Sequence, residues 1–228
     1  MAELLKVIAI DGPAGSGKST TAKEVAKRLG WTYLDTGAMY RALGLAVRRA
    51  GGNPEVETDV VPFLERVEIG FGPGFPPAVL LNGEDVSGEI RTPEAGQAAS
   101  QVSTHGIVRR KMVEMQRAIG LKQPCVLEGR DTTTAIFPDA GLKIYVDGTV
   151  EVRAKRRLRD YEAQGHSMTL EEVIADVIER DRRDSSRKES PLAVAQDAVV
   201  IDTTEMDLEQ QIQAVLDVAL ARFPGVGA

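Results

Sequence analysis

Apolar runs alternate with stretches of helical period along most of the chain. The runs at 7–10, 31–34, 125–127, 142–146 and 198–201 are mostly apolar, with β-branched and aromatic residues, as expected of strands buried on both faces of a parallel sheet. Between them, apolar residues recur at three- and four-residue spacing: Ala22, Val25, Ala26 and Leu29; Leu43, Ala46, Val47 and Ala50; Val108, Met112, Met115 and Ile119; Ile212, Val215, Leu216 and Ala219. Each stripe predicts an amphipathic helix. Gly30 and Gly51-Gly52 stop the first two helices, and Thr92-Pro93 opens another through about 103. Further helices are expected over 150–164 and 170–187, the latter opened by the capping box Thr169 with Glu172, and one starts near Asp207 with Gln210 as its reciprocal partner. The pattern predicts an α/β fold, a five-stranded parallel sheet flanked by helices.

The middle of the chain has another texture. Short strand candidates at 67–71, 78–81 and 84–86 are separated by Gly72-Pro73-Gly74-Phe75-Pro76-Pro77 and by Asn82-Gly83, a strong hairpin signal. This predicts a small antiparallel insertion at about 41–104, carried by a core of 1–40 and 105–228. A length of 228 residues with 43% apolar content suits one domain with its own core.

Gly12-Pro13-Ala14-Gly15-Ser16-Gly17-Lys18-Ser19 fits the full phosphate-loop spacing, and Thr20 continues into the helix behind it. Strand, glycine loop and helix stand in the required order. Glycines let backbone N–H groups turn inward around a triphosphate, the helix N-terminus adds partial positive charge, Lys18 adds a full one, and the Ser19 hydroxyl reaches magnesium. Gly12 to Thr20 are thus the expected ATP-binding segment, with Lys18 bridging the β- and γ-phosphates and Mg2+ held by Ser19 directly or through water.

Charge and cysteine content narrow the class. Lys and Arg number 28 against 34 Asp and Glu, a formal charge of −6, the wrong sign for a general nucleic-acid binder. The single Cys125 lies in an apolar run and reads as a buried strand residue, and no long apolar segment predicts a membrane span. A cytoplasmic monomer acting on small molecules, without nucleic-acid or membrane partners, is the expectation.

A phosphate loop specifies the triphosphate and not its use. Asn-Lys-x-Asp and Leu-Ser-Gly-Gly-Gln are missing, which weighs against a GTPase switch and a transport ATPase. Arg41 and Arg130 each follow the end of an expected strand, where open α/β sheets bind ligands. Arg180, Asp184 and Arg187 stand at i, i+4 and i+7, presenting plus, minus, plus on one helix face. Arg153, Lys155, Arg156, Arg157 and Arg159 form a basic run. An RNA patch is one reading of it, and a lid that closes over ATP suits an acidic chain better, with Arg153 and Arg157 at the phosphates and the other basics solvated. Another small-molecule kinase or a nucleotide-timed switch remains open on these motifs alone.

Gly12 to Ser19, Leu34 to Arg41, Gly83-Glu84-Asp85-Val86-Ser87-Gly88-Glu89-Ile90-Arg91, Ala99-Ser100-Gln101-Val102, Gly129-Arg130-Asp131, Phe137-Pro138-Asp139-Ala140 and Glu179-Arg180-Asp181 through Ser190-Pro191-Leu192 together resemble bacterial cytidylate kinases. The resemblance implies an adenylate-kinase-like core and the reaction of ATP with CMP or dCMP. It also implies Thr36, Arg41 and Arg130 at the acceptor phosphate with Arg187 near it, Arg180 and Asp184 at the ribose, and Ser100, Arg109 and Asp131 at the base. There are departures. Thr133 stands where the family usually has Gly, so a backbone approach or a positive φ there is expected to be altered, and Glu128 stands where many members have Asp.

Overall fold

The structure, a computed structural model, describes residues 4–163 and 165–226. In chain order the elements are β1 (Val7–Asp11), α1 (Lys18–Leu29), β2 (Thr32–Asp35), α2 (Thr36–Arg49), α3 (Glu57–Val60), β3 (Ile69–Phe71), β4 (Val79–Leu81) and β5 (Glu84–Asp85). They continue with α4 (Pro93–Val102), α5 (Gly106–Gly120), β6 (Cys125–Gly129), β7 (Leu142–Asp147), α6 (Val150–Ala163), α7 (Leu170–Ser185), β8 (Val199–Asp202) and α8 (Leu208–Arg222). Gln164, the expected end of α6, lies outside the described residues. The chain divides into two compact units, 1–32 with 123–228, and 33–122.

The large sheet runs in the order β2-β6-β1-β7-β8. Strand β1 is parallel to β6 and β7, and β7 is parallel to β8. Val7 to Ile10 are at most 1% exposed, which is why this strand reads as a continuous apolar run rather than an alternating one. Both neighbours of β1 come later in the chain, so its C-terminal end is a topological switch point. Asp11 there is in register with Gly129 and with Tyr145. Helices α6 and α7 pack through Ala154, Tyr161, Val173 and Val177.

In the second unit, β3, β4 and β5 form the antiparallel sheet read from the sequence. Asn82 and Gly83 both have positive φ, 52° and 84°, the geometry that a two-residue hairpin turn demands. The core of this unit joins Met39, Leu43 and Val47 of α2 to Leu81, Val86, Val102 and Met112. Gly44 lets α2 approach α4, since a Cβ there would stand 2.8 Å from that of Ala98. Helices α2 and α5 thus belong to this unit. Helix α7 ends two residues before 187, and the short α3 was not anticipated.

Candidate active site

Three carbonyls of the phosphate loop are engaged, one by the loop's own lysine and two from distant segments. Pro13 O accepts from Lys18 Nζ at 3.2 Å, Ala14 O from Arg153 at 2.8 Å, and Ser16 O from Gln211 Nε2 at 3.0 Å. With carbonyls held away, N–H groups are left to face an anion. Gly15 and Gly17 have φ of 75° and 81°, and a Cβ on Gly12 would stand 2.1 Å from the Val146 carbonyl oxygen. Those glycines are required by conformation and by close approach respectively. The Ser16 hydroxyl oxygen is buried with no hydrogen-bond partner among the described residues, an unused polar group beside the loop.

Lys18 is 5% exposed. Burial, reinforced by the charges of Arg130 and Arg180 against those of Glu128 and Asp184, lowers its pKa to about 7. The fold has therefore brought residues from α1, the end of β6 and α7 into one electrostatic neighbourhood. Arg130 Nε donates to Asp184 Oδ2 at 2.7 Å, and Arg187 donates to Asp184 Oδ1. Burial alone would raise the pKa of Asp184, but Arg130, Arg187 and Arg180 overcome it and hold it at about 2. Burial likewise opposes the charge of Arg130, and Asp184, Glu128 and Asp181 around it raise its pKa nonetheless.

Ser19 Oγ donates to Glu128 Oε1 at 2.8 Å. A hydroxyl and a carboxylate side by side at the start of α1 are hard oxygen donors, the kind that would suit magnesium.

Thr133 has a different explanation from the one anticipated. Its φ is not in the left-handed region; its amide and hydroxyl donate to Asp11 Oδ2 at 2.8 and 2.6 Å, while those of Thr132 donate to Asp11 Oδ1 at 2.8 and 2.7 Å. Burial raises the pKa of Asp11 against the bonds from Thr133 and the Thr132 hydroxyl, with Asp131 adding to the rise. They start a turn of π type over Thr132–Ile136, in which Ile136 N reaches Asp131 O and Phe137 N reaches Thr132 O. Such turns recur at functional sites, and this one follows Arg130 and Asp131 directly. Asp131 itself is buried.

In the second unit, Asp35 caps α2 by accepting from Ala38 N at 2.8 Å through one oxygen and from Arg41 at 2.6 Å through the other. Arg41 Nε is buried with no partner among the described residues. Thr36 and Ser100 are buried. Arg109, 2% exposed, places its guanidinium 5.9 Å from the Tyr40 ring centroid.

The basic helix departs from its reading at Arg156. Arg153 is buried and turned to the loop's backbone, donating to Gly148 O at 2.8 Å besides Ala14 O. Arg157 pairs with Asp176 at 3.1 Å and lies 4.9 Å from the Tyr161 ring centroid. Arg156, expected to be solvated, instead donates to Thr203 Oγ1, Thr203 O and Met206 O at 2.8, 2.7 and 3.0 Å. Asp11, Arg156, Asp181 and Gln211 were not anticipated at the site. For Asp11 the adjoining loop was a signal; the others depend on contacts far along the chain. Cys125 is buried, and burial pushes its thiol up to about 12, as its apolar run implied.

A family model for cytidylate kinase matches residues 8–220. The chain belongs to the cytidylate kinase family. Among curated members, a cytidylate kinase of Citrifermentans bemidjiense is 46% identical over 91% of this chain and 89% of its own. One of Thermodesulfovibrio yellowstonii is 44% identical over 92% and 96%. A solved structure of an uncharacterized protein from Eubacterium ventriosum shares the fold, with a TM-score of 0.52 at 12% identity over 95% of this chain and 98% of that one. None of the described helices is long and apolar enough to cross a membrane.

Proposed function

We propose that this protein transfers the γ-phosphoryl group of ATP to CMP or dCMP, giving ADP and CDP or dCDP. The observation that carries the reading is the cluster of buried Lys18 and Asp184 with half-buried Arg130 and Arg187 behind a phosphate loop. Its cations are held together by one carboxylate and gain most when phosphates enter. A phosphate oxygen of CMP attacks the γ-phosphorus, the bond from that phosphorus to the β–γ bridging oxygen breaks, and ADP leaves with the electron pair. No side-chain base is needed, because the attacking oxygen is already ionised.

Lys18 neutralises charge on the β- and γ-oxygens, and the family's names support the CMP assignment. Ser19 and Glu128 hold Mg2+, which when bound offsets phosphate charge. Arg130 and Arg41 take the acceptor phosphate, the latter through a buried Nε that has no partner among the described residues. Thr36 and Arg187 assist them. Arg180 and Asp184 serve the ribose hydroxyls; Asp184 keeps lone pairs for this even with both oxygens engaged. Ser100, Arg109 and Asp131 read the base, a carboxylate accepting from the cytosine N4 amino group and a guanidinium donating to N3. Uracil reverses both roles. A cytoplasmic monomer fits these small substrates.

The test is a panel of CMP, dCMP, UMP, AMP and GMP with ATP and magnesium, with products identified. Preference for the cytosine nucleotides is expected. A wild type that prefers UMP or AMP, or that releases ADP at the same rate without acceptor, refutes the assignment.

A further inference from the structure

The phosphate loop is gripped at one residue from two helices. Ala14 N donates to Asp181 Oδ1 at 3.1 Å, and Ala14 O accepts from Arg153 at 2.8 Å. The same guanidinium nitrogen donates to Asp181 Oδ2 at 2.6 Å. One ion pair, Arg153 on α6 and Asp181 on α7, therefore holds both polar backbone atoms of Ala14. It is largely shielded, the side chains being 6% and 21% exposed.

The neighbour of this residue explains why such a hold matters. Gly15 follows with φ 75°, and glycine passes between positive and negative φ at little cost. A flip of the Ala14–Gly15 peptide would turn a carbonyl toward the ATP phosphates and withdraw the Gly15 N–H. Arg153 opposes it by holding the carbonyl outward, and it also closes the space beyond, since a Cβ on Gly15 would stand 2.5 Å from the Arg153 carbonyl oxygen. Arg153 in turn depends on Asp181 for its counter-charge, as a buried guanidinium without one is costly.

We propose that Asp181 is a positioning residue for the phosphate loop: by holding the Ala14 amide directly and the Ala14 carbonyl through Arg153, it keeps the Gly15 N–H turned to ATP. This rests on the reading of the loop as the ATP site. Asp181 touches no substrate in this role, so its removal is felt on the ATP side of the reaction first. Because α6 and α7 share an apolar cluster of their own, the ion pair also ties the placement of that helix pair to the geometry of the loop.

The experiment is calorimetric titration of ATP, without CMP, into wild type, D181A, D181N, R153M and the D181A/R153M double variant, followed by KM for ATP and for CMP. D181A is expected to weaken ATP about tenfold, the loss of one hydrogen-bonded charge. D181N keeps an acceptor for the Ala14 amide and loses the charge facing Arg153, so about a threefold loss is expected. The double variant should bind ATP no more weakly than the weaker single one, because the clamp is already broken. KM for ATP should rise more than KM for CMP. ATP affinity within twofold of wild type in D181A, equal rises in the two KM values, or additive losses in the double variant would overturn the proposal. If D181A does not fold, D181N decides by the same criteria. A wild type that binds ATP and phosphorylates another acceptor sinks the CMP assignment while the clamp result stands.

Discussion

Replacing Asp184 by Asn keeps the shape of the side chain and removes the one negative charge that Arg130 and Arg187 share. Its carboxyl is held at about 2 against an ordinary 3.8, which corresponds to about 2 kcal/mol of stability at neutral pH. The variant also takes a counter-charge from two largely shielded guanidinium groups, with Glu128 and Asp181 still beside Arg130, which moves the loss part of the way toward the ~3–5 kcal/mol of a broken buried pair. A loss of about 2–4 kcal/mol at pH 7 is therefore expected. The sign with pH follows from the lowered value: the contribution is complete above pH 3.8 and disappears as pH falls through about 2. Wild type and variant should converge in acid. Urea unfolding can be followed by the single Trp31, which is buried against Phe223 at 5.1 Å between ring centroids and reports on the unit that contains Asp184. Inorganic phosphate should stabilise D184N more than wild type, since an anion can replace the missing charge. A loss below about 0.5 kcal/mol at pH 7, within the range of ordinary surface substitutions, or a loss that persists undiminished at pH 2, would refute the reasoning.

Burial lowers the pKa of Lys18 to about 7 and bound triphosphate favours its charged form, so ATP binding at pH 8 should take up protons and weaken as pH rises above 7. Calorimetry in buffers of different ionisation enthalpy measures this; no proton uptake at pH 8 contradicts it. Gly15→Ala combines a positive φ with a 2.5 Å approach to the Arg153 carbonyl, whereas Gly30→Ala has a positive φ and open space; the first should cost more than about 2 kcal/mol and the second about 1 kcal/mol, read by thermal denaturation. Thr133→Val removes the 2.6 Å bond to Asp11 and should cost about 1.5–3 kcal/mol, with unchanged stability counting against the Asp11 clamp.

Features written in adjacent residues are legible in the sequence alone. The phosphate loop depends on glycines next to one another and on the strand and helix that flank them, and both expected capping boxes, Thr169 with Glu172 and Asp207 with Gln210, are formed. The five strands follow their apolar runs, but β1, β6, β7 and β8 each continue one or two residues further, through Asp11, Gly129, Asp147 and Asp202. Their final polar or glycine residues carry no apolar signal and still pair in the ladder. The π-type turn is not legible there, because the carboxylate that starts it lies 121 residues earlier. Arg156 departs from its reading for a similar reason: its carbonyl partners at Thr203 and Met206 are 47 and 50 residues away, and a basic run looks solvated until something packs on it. Periodicity and turn chemistry are local, so the sequence by itself determined the elements, the loop and the residue types of the site. Which arginine holds backbone, which carboxylate it meets and how far burial moves Lys18 are set by pairings between distant segments, and only the tertiary structure decided them.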